Sequence, residues 1–354
     1  MSASKKARKS AAKPASLRIL ADYLGLSPAT VSVVLNNVPG RSIPAETRER
    51  VRAAALKFNY QPSLLARSLR KQRTFTIGVL VPELSDGYHT MVMSGIGDLL
   101  MSEGYFYFSA QHRHKTDMIA EYPKLLVGRG AEGIIAIDTL LGEHIAVPVV
   151  AVAGHRKIPD VTNVTLDHRH AAQLTLRHLQ ELGHSQIVFM RGQPFSSDSD
   201  ARWQGLVEVA QELGIEIHPE LTIQLEKDLT SPELGYPVVQ QLLQKHRNFT
   251  AIVSFNDIAA IGAIRALQDA HLRVPHDISV IGFDDIQMAA YNNPRLTTIR
   301  QPLRHMGKKA ASILLHRIQG FPNYPLEFAI PPELIVRETT APPNPKTLCQ
   351  RLRR

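Results

Sequence analysis

Basic side chains crowd one end of this 354-residue chain. Residues 1–73 carry 15 Lys and Arg against three acids (Asp22, Glu46, Glu49), a net charge of +12, whereas residues 74–354 carry a net −3 within an overall +9. A compact basic segment on a near-neutral body has the charge distribution of a polyanion-binding module joined to something else. Other reactive side chains are poorly arranged for catalysis. The histidine pairs His112/His114 and His168/His170 lack acidic or cysteine companions at ligand spacing, so they read as solvated histidines and no metal site is expected. Gly95-Ile96-Gly97-Asp98 resembles the start of a dinucleotide fingerprint, but Leu100 stands where the third glycine belongs. A Gly-x-Ser-x-Gly elbow and a phosphate-binding P-loop are both missing from the sequence, so neither an enzyme nor a cofactor is expected. The single cysteine, Cys349, excludes an intrachain disulfide.

The elements that carry these groups change in style along the chain. Residues 1–15, rich in Lys, Ala and Ser, read as a disordered basic arm. In residues 16–60, Ser16 is placed to cap a first helix with Ile19, Leu20, Tyr23 and Leu24 inward, and Gly25 to stop it. Ser27-Pro28 opens a second helix with Val31, Val34 and Leu35 inward; Pro44 opens a third that runs through Phe58. The first pair has helix-turn-helix spacing. Residues 61–73 form a linker. From Thr74 to about residue 340, buried apolar strands such as Thr76 to Val81, Gly133 to Ile137 and Ser279 to Phe283 alternate with helices, the pattern of parallel α/β sheets. That stretch is too long for one doubly wound unit, so two lobes with a crevice between them are expected. Residues 341–354 form a flexible basic tail. No apolar run approaches the ~20 residues of a membrane span, and the amino terminus lacks the apolar core of a signal peptide. A cytoplasmic, nucleoid-associated protein is expected.

Four segments together resemble the LacI/GalR family of bacterial transcription regulators. They are Ser27-Pro28-Ala29-Thr30-Val31-Ser32-Val33-Val34-Leu35-Asn36; Thr47-Arg48-Glu49-Arg50-Val51 running on to Asn59-Tyr60-Gln61-Pro62; Phe255-Asn256-Asp257 with Gly282-Phe283-Asp284-Asp285; and Leu296-Thr297-Thr298-Ile299 with Arg337-Glu338-Thr339-Thr340. The resemblance implies a reader helix in the major groove of double-stranded operator DNA. Thr30, Ser32 and Asn36 would position it on the backbone, Pro28, Ala29 and Val33 would face bases, and Ser27 and Tyr60 belong to the same DNA-binding set. Thr30 and Ser32 are alternatively plain solvent-facing hydroxyls. Valine at 33 departs from the polar readers common in relatives: it can touch a thymine methyl but cannot form a bidentate contact to guanine. The linker would form a hinge helix on DNA, with Ala66 and Leu69 in the minor groove, Leu69 wedging a base step, and Arg67, Arg70 and Lys71 on phosphates.

The resemblance further implies a homodimer on a pseudo-palindromic operator, with its interface on the Met91 to Leu100 helix, and a periplasmic-binding-protein-like body. Ligands of such bodies lie where strand carboxyl ends face the crevice. Asn256, Asp257 and Asp284 follow strands there, with Arg202 in the position of an effector clamp and Tyr88 and His89 as an opposing wall. Asp257 is alternatively a helix cap, and Trp203 either stacks on a sugar or packs in the core. Ala153-Gly154-His155-Arg156 stands where sugar-responsive relatives often place an aspartate, so His155 or Arg156 would substitute. A small-molecule effector is expected, a carbohydrate first, with an acidic sugar favoured by His155, Arg156 and Arg202, and a nucleobase as the alternative.

Overall fold

Three short helices come first among the described residues, and the first two are fixed by caps at their ends, since helices of this length are marginal alone in water. In α1 (Leu17–Leu24) the Ser16 hydroxyl accepts the Ile19 N–H, and Gly25 closes the helix in the left-handed region at φ +64°. Ser27 caps α2 (Pro28–Leu35) by accepting the Thr30 N–H at 3.1 Å. In α3 (Ala45–Lys57), Glu46 in the first turn and Lys57 in the last complement the helix dipole. Leu20, Ala21, Leu24, Val31, Val34, Val51 and Ala54 form the core of this unit. Ile19 and Tyr23, expected inward, are 51% and 54% exposed; Ala21 takes the inner face instead. Tyr23 packs edge-on against Phe58 and accepts a hydrogen bond from Lys57 Nζ.

The computed structural model describes residues 15–36, 40–60, 73–84, 87–142, 145–154, 157–321 and 324–344. Ala66, Arg67, Leu69 and Arg70 of the expected hinge helix, and His155 and Arg156, lie outside the described residues. The chain divides into two units, Met1–Thr74 and Phe75–Arg354.

The second unit contains two six-stranded sheets. The first lobe holds β1 (Thr76–Val81), α4 (Tyr88–Ser102), β2 (Phe106–Gln111), α5 (Thr116–Gly128), β3 (Ile134–Ile137), β4 (Val149–Val152) and β5 (Thr162–Leu166). The chain then crosses over and builds α6 (His168–Glu181), β6 (Ile187–Arg191), α7 (Asp198–Leu213), β7 (Thr222–Gln224), α8 (Tyr236–Lys245), β8 (Ala251–Val253), α9 (Asp257–Asp269), β9 (Ser279–Asp284), α10 (Gln287–Tyr291) and β10 (Thr297–Arg300). It returns for α11 (Leu303–Ile318) and β11 (Glu327–Ile330), then crosses once more to end on β12 (Glu333–Ile335). The sheet orders are β11-β5-β4-β3-β1-β2 and β12-β10-β9-β8-β6-β7, parallel except for the antiparallel β10–β12 pair. Asp167, Gln301-Pro302 and Pro331-Pro332 are therefore the crossovers between lobes. Strands β3 and β4 are wholly buried, as helix-covered parallel sheets require.

Gly95 has a packing role. A Cβ there would lie 2.0 Å from the Arg304 carbonyl oxygen, and one at Gly307 would lie 2.1 Å from that of Val92, so α4 and α11 touch backbone to backbone. The fragment that looks like a nucleotide-binding start is a helix contact, pinned at its rim by Arg304 donating to Asp98 at 2.7 Å.

Candidate DNA reader and ligand crevice

At the start of α2, Ser27, Pro28 and Ala29 are exposed, while Thr30, Ser32 and Val33 are half-buried. The Ser27 and Thr30 hydroxyls lie 2.9 Å apart, and Asn36 Nδ2 donates to the Ser32 carbonyl at 2.7 Å. The small polar groups therefore brace one another and the helix ends while keeping lone pairs and protons for an outside partner. Tyr60 is half-buried against the three-helix core, and burial raises its phenol pKa.

The second unit carries a crevice between its lobes, about 820 Å³ counting its open mouth. One wall comes from the first lobe: Tyr88 and His89 at the start of α4, and Asp138 immediately after β3. The other wall has Asp198 and Arg202 on α7, Asn256 after β8, and Asp284 at the end of β9. These positions obey the rule that ligands meet parallel sheets at strand carboxyl ends. The lobes touch across the crevice, where the Ser197 N–H donates to Asp138 Oδ1 at 2.8 Å and the His114 ring lies 4.8 Å from that of Phe195.

Burial opposes ionisation of Asp198, yet His168 and Arg202 beside it hold its carboxyl below the usual range. Arg202 Nη2 donates to Asp198 at 3.3 Å, and His168 Nε2 is 3.4 Å away. Burial pushes Asp284 up to about 6 against the pull of Arg202 and of Gln301, whose Nε2 donates to it at 2.6 Å. Burial, then the charges of Asp198, Asp138 and Asp284, drive the Tyr88 phenol well above its ordinary value, so it remains a donor. Its Oη is buried without a hydrogen-bond partner among the described residues.

Arg202 lines the crevice but is largely engaged. Its guanidinium centre lies 3.7 Å from the Phe283 ring centre and 4.4 Å from that of Phe255. Nη1 donates to the Phe255 carbonyl, Nη2 to Asp198, and Nε is buried with no hydrogen-bond partner among the described residues. Asn256 caps α9 through Oδ1, which accepts the Ala259 N–H at 2.8 Å, and this bond leaves its amide protons uncommitted.

Two expected crevice residues are corrected. Asp257 is fully buried, accepting the Thr298 hydroxyl at 2.6 Å and the Ile286 N–H at 2.9 Å; it ties α9 to the second sheet, and the α9 cap is Asn256. Trp203 faces away from the crevice, packing against Phe189 in the core with Arg191 over its ring. Sequence reasoning missed Asp138, Asp198, Ser197 and Gln301. Asp138 follows its apolar strand just as Asp284 does, so the strand-end rule, applied to both lobes, finds it.

A capped helix-turn-helix in a basic segment, followed by a two-lobed crevice body, defines a DNA-binding transcription regulator with a sensor domain. Residues 17–63 match the model of bacterial regulatory proteins of the lacI family, and residues 176–340 that of the periplasmic binding protein-like domain. The chain is 33% identical over 337 residues to the HTH-type transcriptional repressor PurR of Serratia proteamaculans, covering 92% of this chain and 97% of that one. The lac repressor dimer bound to operator and the anti-inducer ONPF superposes with a TM-score of 0.84 at 28% identity, over 93% of this chain and 100% of that one. A LacI family regulator from Enterococcus faecium with bound ribose gives a TM-score of 0.66 at 28% identity, over 76% and 100%. The chain belongs to the LacI family of bacterial regulatory proteins. It is a DNA-binding transcriptional repressor and not an enzyme.

Proposed function

We propose that this repressor binds a pseudo-palindromic operator as a homodimer and is controlled by a carbohydrate held between its lobes. The observation that carries the ligand reading is the supply of hydrogen-bonding groups from both walls: Asp138, Tyr88 and His89 on one, Asp198, Asp284 and Asn256 on the other. The ribose bound by the E. faecium relative supports a sugar. A sugar hydroxyl that took Asp138 would compete with its bond to the Ser197 N–H. Asp198 and Asp284 contact His168 and Gln301, and both of these lie at crossovers between lobes. A ligand held by those carboxylates thus acts on the segments about which the lobes turn, the differential contact that shifts a two-state equilibrium.

On the DNA side, Ser27, Thr30, Ser32, Asn36 and Tyr60 hold phosphates and Pro28, Ala29 and Val33 meet bases, with Ala66, Arg67, Leu69 and Arg70 completing the contact. Dimerisation uses the outer side of α4 and β2, where Met91, Met101, Phe106 and Phe108 are 43%, 76%, 61% and 40% exposed. The protein works in the cytoplasm on the nucleoid. No single helix among the described residues is long and apolar enough to cross a membrane.

The test selects duplexes from a random pool with the full chain, then measures sedimentation and operator affinity with and without sugars. The expected outcome is a two-fold site with half-sites about one helical turn apart, a dimer in solution, and a sugar that changes operator affinity. An asymmetric site bound by a monomer would refute the dimer reading. Control by a nucleobase alone would refute the sugar.

A further inference from the structure

We propose that the crevice admits an uncharged polyhydroxylated ligand and turns away carboxylated and phosphorylated sugars, an inference that rests on the carbohydrate reading above. Among the described lining residues, four carboxylates (Asp138, Asp198, Asp228 and Asp284) face one fixed cation, Arg202, and no lysine. That cation is already committed. Phe255 and Phe283 flank its guanidinium, and Asp198 and a backbone carbonyl take both terminal nitrogens. The acidic sugar expected from the sequence relied on His155, Arg156 and Arg202; Arg202 is committed to Asp198 and Phe255, and the other two lie outside the described residues.

The remaining groups sort by role. Asp138, Asp198 and Asp284 are acceptors, and a carboxylate can accept two hydroxyl protons at once, the arrangement offered by vicinal diols. Tyr88 Oη and Arg202 Nε are buried donors with no partner among the described residues, and Asn256 keeps its amide protons; ring and bridging oxygens of a sugar are acceptors. A neutral polyol satisfies both sets. An anionic group would instead be stripped of water beside like charges, and the one fixed cation among the described lining residues, Arg202, already has Asp198 as its partner. His89 is 3.9 Å from Asp138, and His168 lies against Asp198, so both imidazoles already face a carboxylate. His114 rests on Phe195.

The experiment uses the full chain in thermal-shift screening, followed by calorimetric titration. The probes are matched sets: glucose with glucuronate and glucose 6-phosphate, galactose with galacturonate, ribose with ribose 5-phosphate, with hypoxanthine and adenine alongside. The expected result is a neutral sugar that binds at least about 30-fold more tightly than its anionic partner, equivalent to about 2 kcal/mol. Asp284→Asn and Asp138→Asn should each narrow that ratio by weakening the neutral sugar and relieving the anion. A uronate or phosphate bound as tightly as its neutral partner overturns the charge assignment and leaves the carbohydrate reading standing. A nucleobase bound while every sugar is silent overturns the carbohydrate reading, and the polyhydroxyl assignment falls with it.

Discussion

Replacing Asp284 by asparagine should stabilise the second unit at neutral pH while damaging its function. Asp284 is raised from 3.8 to about 6, first by burial and then by the charge of Asp198, despite Arg202 and Gln301. A folded value above the unfolded one means that the native state holds the proton more tightly. Stability is therefore greatest below the unfolded value and is lost as pH rises through about 6. The shift is roughly two units, and each is worth about 1.36 kcal/mol, so ionised Asp284 destabilises the fold by about 3 kcal/mol at pH 8. Asparagine keeps an oxygen for Gln301 Nε2, although that bond weakens by about 1 kcal/mol once the acceptor is neutral. The net expectation is a gain of about 2 kcal/mol, or roughly 4–8 °C in Tm for a unit of this size. Relief of Asp257, whose carboxyl is raised by burial and by the charge of Asp284, acts in the same direction. Thermal unfolding of the full chain and of Asp284→Asn from pH 4 to 8.5 measures this. The two curves should meet near pH 4, separate between about pH 4 and 6, and stay apart by a constant gap above that. Equal midpoints at pH 8, or a variant less stable there, would refute the reasoning.

Three other perturbations probe separate parts of the molecule. Ser27→Ala removes the α2 cap and should destabilise the first unit by about 1 kcal/mol; operator affinity should fall while the melting of the second unit, followed by calorimetry, stays unchanged. Gly95→Ala drives a Cβ into the Arg304 carbonyl oxygen 2.0 Å away and should destabilise by roughly 3 kcal/mol or more, read as a large drop in Tm or in soluble yield. Deleting residues 1–74 should leave a folded unit that binds ligand and has lost DNA affinity; a retained shift of operator DNA at ordinary salt would contradict the division into units.

The elements were legible wherever one periodic signal dominated. Ser16, Gly25, Ser27 and Pro28 mark helix ends by local chemistry alone, and the structure uses each as the sequence implies. Strand β1 spans Thr76–Val81 as expected, because a doubly covered strand reads as a continuous apolar run. Partial burial was harder to read. Tyr23 and Ala21 exchange faces on α1 because a helix of eight residues leaves the direction of its stripe to tertiary packing. Strands β11 and β12 were invisible, since Glu327–Ile330 and Glu333–Ile335 are short edge strands with exposed positions.

The crevice divides along the same line. Asn256 and Asp284 follow strong apolar strands in the half of the chain that carries the family's motifs, so both were found. Asp138 obeys the same rule in the other lobe, where no motif draws attention to it. Asp257 was misassigned because its sequence position, one residue past Asn256, cannot tell which of the two polar side chains turns into the sheet. Thr298, 41 residues away, decides that by donating its hydroxyl to Asp257. Gln301 had no local signal of any kind. It joins the site because β10 ends where the chain crosses between lobes, which brings its amide to Asp284. The same fact gives the carboxylate two functions. Asp284 lines the crevice and, through Gln301, holds a crossover, so whatever neutralises or solvates it also acts on the segment that joins the lobes. Burial raises its pKa to about 6, so its ionised form is an unfavourable state that the hydroxylated ligand proposed above would relieve. On the proposed reading, stability that ionised Asp284 withholds would be recovered on binding and would favour the ligand-bound arrangement of the lobes.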